Sequence, residues 1–396
     1  MPSYRYLLIG GGMTADSAAG GIREVDPGGS IGLVGDEPDP PYNRPPLSKA
    51  LWKGDPLDSI WRHSTNEGVT RHLGRRIQSL DPRNKRAVDD QGSVYTFERC
   101  LLATGGTPRT LSFGGDRVIY YRTVATYRRL RALADQRQRF VVIGGGFIGS
   151  EVAAALAMNG KEVTMAFPED AISARAFPAD LGQFLNGYYR AKGVAVLTGA
   201  SVVGVSARGE QALVRARDSA GAEQEHLADG VVAGLGIMPN VGLARDAGLR
   251  VANGIVVDEL LRTSQPDVYA AGDVAAFINT ALGKRLRLEH EDNANTMGLR
   301  AGRNMAGRAE PYDHLPFFYS DLFDLGYEAV GELDARLETV SDWKDPFHAG
   351  VVYYLREGRV RGVLLWNVWE QVDNARQLIR EPGPFRPADL KGRLPA

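Results

Sequence analysis

The sequence predicts an α/β protein made of two repeated βαβ domains and a smaller α+β domain at its C-terminal end. Three observations carry this expectation. First, two glycine-rich turns, Ile9-Gly10-Gly11-Gly12-Met13-Thr14-Ala15 and Val142-Ile143-Gly144-Gly145-Gly146-Phe147-Ile148-Gly149, each follow an apolar strand and open a helical stretch. Second, the distance from the first glycine to the glycine closing the unit is 95 residues for Gly10 to Gly105 and 92 for Gly144 to Gly236. That near match argues for a duplicated Rossmann-like unit rather than two unrelated glycine runs. Third, the pattern changes from about Pro316 to strands around a tight turn, followed by a helix.

Taken in order, strand Tyr4–Ile9 leads through the first glycine turn into a helix to about Glu24, and a strand Ser30–Val34 ends at Gly35-Asp36-Glu37. A hairpin around Asp89–Gly92 and a strand ending at Gly105-Gly106 close the first unit. The second unit repeats the plan: strand Phe140–Ile143, helix Gly149–Met158, strand Glu162–Phe167, a hairpin around Ser206–Gln211 and a strand ending at Gly236. A strand then runs from Gln265 into Gly272-Asp273-Val274, with a helix over Ala294–Met305. It has no glycine turn of its own, so it is expected to rejoin the first sheet. Strands Val351–Leu355 and Val360–Trp366 flank Arg356–Arg359, the helix Glu370–Ile379 follows, and the Pro-rich tail from Glu381 reads as irregular. The expected boundaries are residues 1–113 and 244–314 for a two-part first domain, 114–243 for the second and 315–396 for the third.

Length, charge and cysteine usage narrow the function classes. A chain of 396 residues with 43% hydrophobic and 24% charged residues can bury two or three cores. A net charge of −1 gives no general attraction to nucleic acid or membranes, and the arginines at 122, 128, 129, 131, 137 and 139 read as a solvated helix face. No run of 18 apolar residues and no leader segment are found, so neither a membrane span nor export is expected. Cys100 is the single cysteine and lies in an apolar run. A buried thiol, no dithiol relay and a reducing, cytoplasmic setting follow.

The chemistry rests on the glycine turns, where backbone amides at a helix N-terminus approach a pyrophosphate. Two such turns in one chain point to two dinucleotides, a flavin and a nicotinamide. Asp36, at the end of the second strand, is placed to accept from ribose hydroxyls; Glu37 competes with it, and a plain surface acid is the alternative. In Pro40–Lys49 the prolines fix an extended approach. Read locally, Arg44 and Lys49 either face a diphosphate or flavin or are two ordinary cations of a rigid loop.

The segment Pro41–Lys49, together with Leu101–Arg109, Gly144–Glu151, Phe167-Pro168-Glu169, Tyr269–Val274, Leu288-Glu289-His290 and Tyr319-Ser320-Asp321, resembles the FAD-dependent pyridine nucleotide oxidoreductases. The branch it resembles is that of ferredoxin and rubredoxin reductases and apoptosis-inducing factor. The segments Gly326–Gly331 and Gly362–Asn367 look most like the apoptosis-inducing-factor side. The resemblance spans about the whole chain. It implies a glutathione-reductase-like fold with non-covalent FAD against Gly10, Gly12, Ala15, Asp36, Arg44, Lys49, Thr104, Gly105, Arg109 and Asp273. It implies NADH over Gly144, Gly146, Phe147, Ile148, Gly149, Glu169, Arg175 and Gly236, with Glu289, His290 and Tyr319 bordering the nicotinamide. Lys49 and Glu151 would pair beside the reactive edge of the flavin and serve as the catalytic residues; no metal is expected. The stretch Glu332–Gly350 is short where apoptosis-inducing factor carries a long insertion, and that departure argues against a cell-death role.

The expectation is therefore an enzyme that moves hydride from NADH to FAD and passes electrons to a ferredoxin or rubredoxin. A quinone or small radical acceptor, and a slow NADH-responsive dimerising switch, are the alternatives. NADH is expected over NADPH, because Glu169 stands 20 residues beyond Gly149, about the spacing of a ribose acid, while Arg175 pulls the other way.

Overall fold

The computed structural model describes residues 1–62 and 68–395. The chain divides into two compact units, each assembled from discontinuous segments. The first comprises Met1–Asn43, Asp58–Thr107 and Met238–Phe317; the second comprises Arg44–Leu57, Pro108–Ile237 and Phe318–Ala396.

In the first unit, Ser3–Ile9 lies between Ile31–Gly35 and Val94–Leu102, all parallel, with Val69–Leu73 outside Ile31–Gly35. Tyr6, Leu7, Leu8 and Ile9 are all buried. Both faces of a parallel sheet are covered, so these strands read as unbroken apolar runs rather than alternating ones. The returning strand Val268–Ala270 pairs with Val94–Leu102, setting Cys100 against Val268 and Leu102 against Ala270. The helix Met13–Val25 turns Ala15, Ala18, Ala19 and Ile22 inward at helical spacing. It crosses Glu291–Met305 with no room for side chains: a Cβ on Gly302 would lie 2.0 Å from the Ala18 carbonyl oxygen, and one on Gly21 2.1 Å from that of Leu299. The late segment of the chain is thereby locked onto the first glycine turn.

The second unit holds a five-stranded parallel sheet ordered Ala195–Leu197, Glu162–Ala166, Arg139–Ile143, Gly230–Ala233, Val118–Tyr120. A three-stranded antiparallel sheet, Ser201–Arg208 to Glu223–Ala228, stands where one hairpin is expected. The same unit contains a five-stranded sheet ordered Phe317–Leu322, Leu325–Gly331, Arg359–Trp366, Ala349–Arg356, Glu338–Asp345, with helix Val372–Arg380 against its middle strands. The whole is an α/β fold with two dinucleotide-type sheets and a C-terminal α+β part.

Candidate functional site

Each glycine turn ends at an uncapped helix N-terminus. Gly12 is the N-cap of Met13–Val25 and Gly146 that of Phe147–Met158, and neither helix has a side-chain cap. Their first amides are thus left for an anion, where the helix dipole also favours negative charge. Each turn has positions that admit only glycine. Gly10 has φ +132°, and a Cβ there would sit 2.1 Å from the Ala103 carbonyl oxygen. A Cβ on Gly149 would sit 2.0 Å from the carbonyl oxygen of Gly144. A Cβ on Gly146, by contrast, meets nothing within 4 Å, so the space ahead of the second helix is open. These features fit the pyrophosphate of FAD at the first turn and that of a nicotinamide dinucleotide at the second.

Around the first turn, Asp36 follows strand Ile31–Gly35 with its side chain 56% exposed and within 3.3 Å of Arg76. Glu37, its competitor, accepts from the Tyr42 hydroxyl at 2.6 Å. Asp36 is thus the freer of the two to meet a ribose. Ala15 is fully buried under the helix. Gly272 packs against Thr14, which brings Asp273 to the start of that helix. Arg287 donates to the Asp273 carbonyl oxygen at 3.1 Å and pairs with Glu289 at 2.8 Å. Thr104 and Gly105 are tied to Asn240, whose side chain donates to the Thr104 carbonyl at 2.8 Å and whose amide donates to that of Gly105 at 3.0 Å. His290 is the N-cap of Glu291–Met305. Desolvation pulls its pKa down to about 4 against the opposing pull of Asp273 and Asp292, so its ring is neutral at pH 7.

The second unit brings together a denser set. Lys49 and Glu151 form an ion pair at 2.7 Å with side chains only 10% and 3% exposed. Glu151 Oε2 accepts from Ser48 Oγ at 2.6 Å, and Oε1 accepts from Ser320 Oγ at 2.6 Å. The Lys49 ammonium also lies 5.2 Å from the centre of the Tyr319 ring. The 3₁₀ turns Pro45–Ser48 and Ala50–Trp52 present Lys49, and they are held by buried donors: the Leu47 carbonyl accepts from Trp52 Nε1 at 2.8 Å and from the Tyr121 hydroxyl. Arg44 donates to the Arg122 carbonyl at 3.0 Å, and Asn159 to that of Trp52 at 3.0 Å. The proline segment is therefore an anchored support for Lys49 and not a free surface loop.

At the second turn, Phe147 packs on Phe318 with ring centres 5.1 Å apart, while Ile148 is 41% exposed. Glu169 pairs with Arg175 at 2.7 Å, the arginine side chain being 89% exposed. Gly236 is exposed with φ +78°, and its carbonyl accepts from the Arg109 amide at 2.9 Å.

Ser48 and Ser320 lie in segments that carry the family resemblance, yet nothing in their spacing shows that they converge on Glu151. Arg62 carries no sequence signal either; it donates to the fully buried Asp16 at 2.7 Å and to Asn43 at 2.8 Å.

Two uncapped glycine turns and a buried lysine–glutamate pair, with a lone cysteine buried in a sheet, define a flavin-type pyridine nucleotide oxidoreductase that works without a dithiol. The sequence profile described as pyridine nucleotide-disulphide oxidoreductase matches residues 4–298, and that of the C-terminal part of apoptosis-inducing factor matches 301–346 and 341–381. The chain belongs to the pyridine nucleotide-disulphide oxidoreductase family. It is 35% identical over 369 residues to the 5,5'-dehydrodivanillate O-demethylase ferredoxin reductase subunit of Sphingobium, covering 91% of this chain and 89% of the other. It is 33% identical to the anthranilate 1,2-dioxygenase system ferredoxin–NAD(+) reductase component of Burkholderia cepacia, covering 97% of each. The crystal structure of the covalent putidaredoxin reductase–putidaredoxin complex aligns with a TM-score of 0.88 at 28% identity, over 98% of this chain and 95% of that one. No helix among the described residues is long and apolar enough to cross a membrane.

Proposed function

We propose that the protein is an FAD-dependent NADH oxidoreductase that passes electrons to a small iron-containing carrier of the ferredoxin or rubredoxin type, in a cytoplasmic setting. The observation that carries this is the pair of open helix N-termini behind glycine turns, one in each unit, together with a buried Lys49–Glu151 pair. The relatives named for ferredoxin reduction support the choice of acceptor.

FAD supplies two-electron acceptance from NADH and one-electron delivery to the carrier. Gly10, Gly12, Ala15, Asp36, Arg44, Lys49, Thr104, Gly105, Arg109 and Asp273 are assigned to hold it. Gly144, Gly146, Phe147, Ile148, Gly149, Glu169, Arg175 and Gly236 are assigned to NADH, and Glu289, His290 and Tyr319 to the nicotinamide end. Lys49 supplies a positive charge for the negative charge that reduction creates. Glu151 limits the cost of keeping that ammonium out of water.

The test is rapid-mixing reduction of the FAD-loaded protein by NADH. Lys49→Ala and Glu151→Ala should each slow it about 100-fold, in the range seen when one preorganised charge-stabilising donor is lost. Both should retain FAD, and their effects should be non-additive. Wild-type rates in both variants would remove the pair from the mechanism. A second reading, an NADH-responsive switch that dimerises, is favoured by the match of residues 301–381 to the apoptosis-inducing-factor C-terminal profile. Fast reoxidation by an added ferredoxin supports the reductase; a long-lived reduced complex of doubled mass supports the switch.

A further inference from the structure

We propose that Ser48 and Ser320 are positioning residues whose hydroxyls bracket the Glu151 carboxylate, one on each oxygen, and so set the charge that Lys49 presents to the flavin. The inference rests on the Lys49–Glu151 reading and goes beyond it, because it assigns a function to two side chains outside the ion pair.

Three segments far apart in sequence meet at one carboxylate. Ser48 ends the 3₁₀ turn Pro45–Ser48, Glu151 lies on helix Phe147–Met158, and Ser320 is on strand Phe317–Leu322. All three side chains are buried. A buried carboxylate needs donors on both oxygens, and an unmet one is costly. Lys49 and Ser320 share Oε1 while Ser48 holds Oε2, so the carboxylate cannot rotate without losing a bond. The strand repeats this grip on its neighbours: Phe318 packs on Phe147, Tyr319 lies under the Lys49 ammonium, and Asp321 pairs with Lys53 at 2.8 Å. Strand Phe317–Leu322 thus holds the turn and the helix in one register through four consecutive side chains.

The sign of the effect follows from electrostatics. Tyr121, Tyr189 and Tyr327 also face Glu151, and all three are pushed well above the usual phenol range by burial and are therefore neutral. Lys49 brings its positive charge to the carboxylate, and the two hydroxyl dipoles add positive potential there. Without them Glu151 keeps more uncompensated negative charge and draws the ammonium toward itself. A reduced, more negative flavin is then less favoured.

The experiment is a redox titration of the FAD-loaded protein without NADH, paired with rapid-mixing reduction at saturating NADH. Ser48→Ala and Ser320→Ala should each disfavour flavin reduction about tenfold, the worth of a hydrogen bond to a charged group. That is a fall of about 30 mV for a two-electron couple. The affinity for NADH should not change. Ser48→Thr, which keeps the hydroxyl, should hold the wild-type potential. In a Glu151→Gln background the Ser320→Ala shift should vanish, whereas a merely structural role would persist there. Unchanged potentials in both alanine variants, alongside a shifted potential in Glu151→Gln, would overturn the inference and leave the ion-pair reading standing. Unchanged potentials in Glu151→Gln and Lys49→Ala would overturn that reading itself.

Discussion

At the first glycine turn the helix is buried from its opening residues, with Met13, Thr14, Ala15 and Asp16 all inside; at the second, Gly146 and Ile148 are exposed and Phe147 is half-buried. One motif thus serves two environments. The first helix is pinned by Glu291–Met305 through backbone-to-backbone contact at Gly21 and Gly302. A helix held this firmly suits a turn that keeps its dinucleotide through turnover, and a helix start open to solvent suits one that exchanges its nucleotide. The glycines common to both build the turn; what differs is how deeply the first residues of the helix behind it are buried.

The strongest way to break this comparison is a methyl group at each turn. Gly10→Ala combines a left-handed φ with a clash against the Ala103 carbonyl, and neither can relax without moving the sheet. It should abolish stoichiometric FAD binding and destabilise the chain by on the order of 3 kcal/mol. Gly146→Ala points its methyl into open space. It should fold with full FAD content and raise the KM for NADH several-fold by crowding the phosphate path. Flavin-to-protein ratio and denaturant melts decide the first; steady-state kinetics decide the second. Gly144 matches Gly10, with φ +111° and a Cβ that would sit 2.5 Å from the Gly234 carbonyl oxygen, so Gly144→Ala should fail as Gly10→Ala does. Damage from Gly146→Ala as large as from these two would mean that the space ahead of the second helix is not open.

These environments were unequally legible. The glycine turns, the central parallel strands and the returning Val268–Ala270 strand are legible because each is a local pattern: an apolar run, a turn residue, a helical period. The outer parallel strands Val69–Leu73, Val118–Tyr120 and Ala195–Leu197 are not, being short or only partly buried. In the C-terminal sheet only the hairpin of Ala349–Arg356 and Arg359–Trp366 was read as strands, its members being almost wholly buried. The outer strand Glu338–Asp345 has just one buried residue and no clean alternation. The proline segment was ambiguous for a different reason. Its anchors, Tyr121, Glu151 and Asn159, lie some 70 to 110 residues away, so local composition could not separate a surface loop from a support for Lys49. The convergence of Ser48 and Ser320 on Glu151 had no sequence signal for the same reason.

A smaller effect should sharpen the picture of the open turn. Glu169 is paired with Arg175 at 2.7 Å, so the arginine is engaged by the acid. NADH should be preferred over NADPH, because the carboxylate accepts from ribose hydroxyls and repels a 2′-phosphate. Glu169→Ala should narrow the kcat/KM ratio about tenfold, or about 1.4 kcal/mol. Arg175→Ala should widen it by leaving the acid uncompensated. The ratio measured with ferricyanide as acceptor checks both, and a preference for NADPH in the wild type would assign the pocket to Arg175.

The smallest expected effect belongs to the first unit and is read by pH. His290 has a folded-state pKa of about 4 against an ordinary value of 6.5, because its ring is desolvated where it caps Glu291–Met305. The unfolded chain therefore takes up a proton there as pH falls through about 6.5, while the folded chain resists until about 4. Stability tied to this residue is fully present above 6.5, declines between the two values and does not change further below the lower one. His72 and His226 are shifted in the same direction by burial, so the slope of the wild type alone does not isolate His290. Comparison with His290→Gln does. The variant should lose less Tm than the wild type between pH 6.5 and pH 4.5, by roughly 3 °C, the equivalent of about 1 kcal/mol in a domain of this size. Flavin release, followed over the same range, should track the melt in the wild type and move to lower pH in the variant. Superimposable curves would mean that the ring is hydrated in the folded chain.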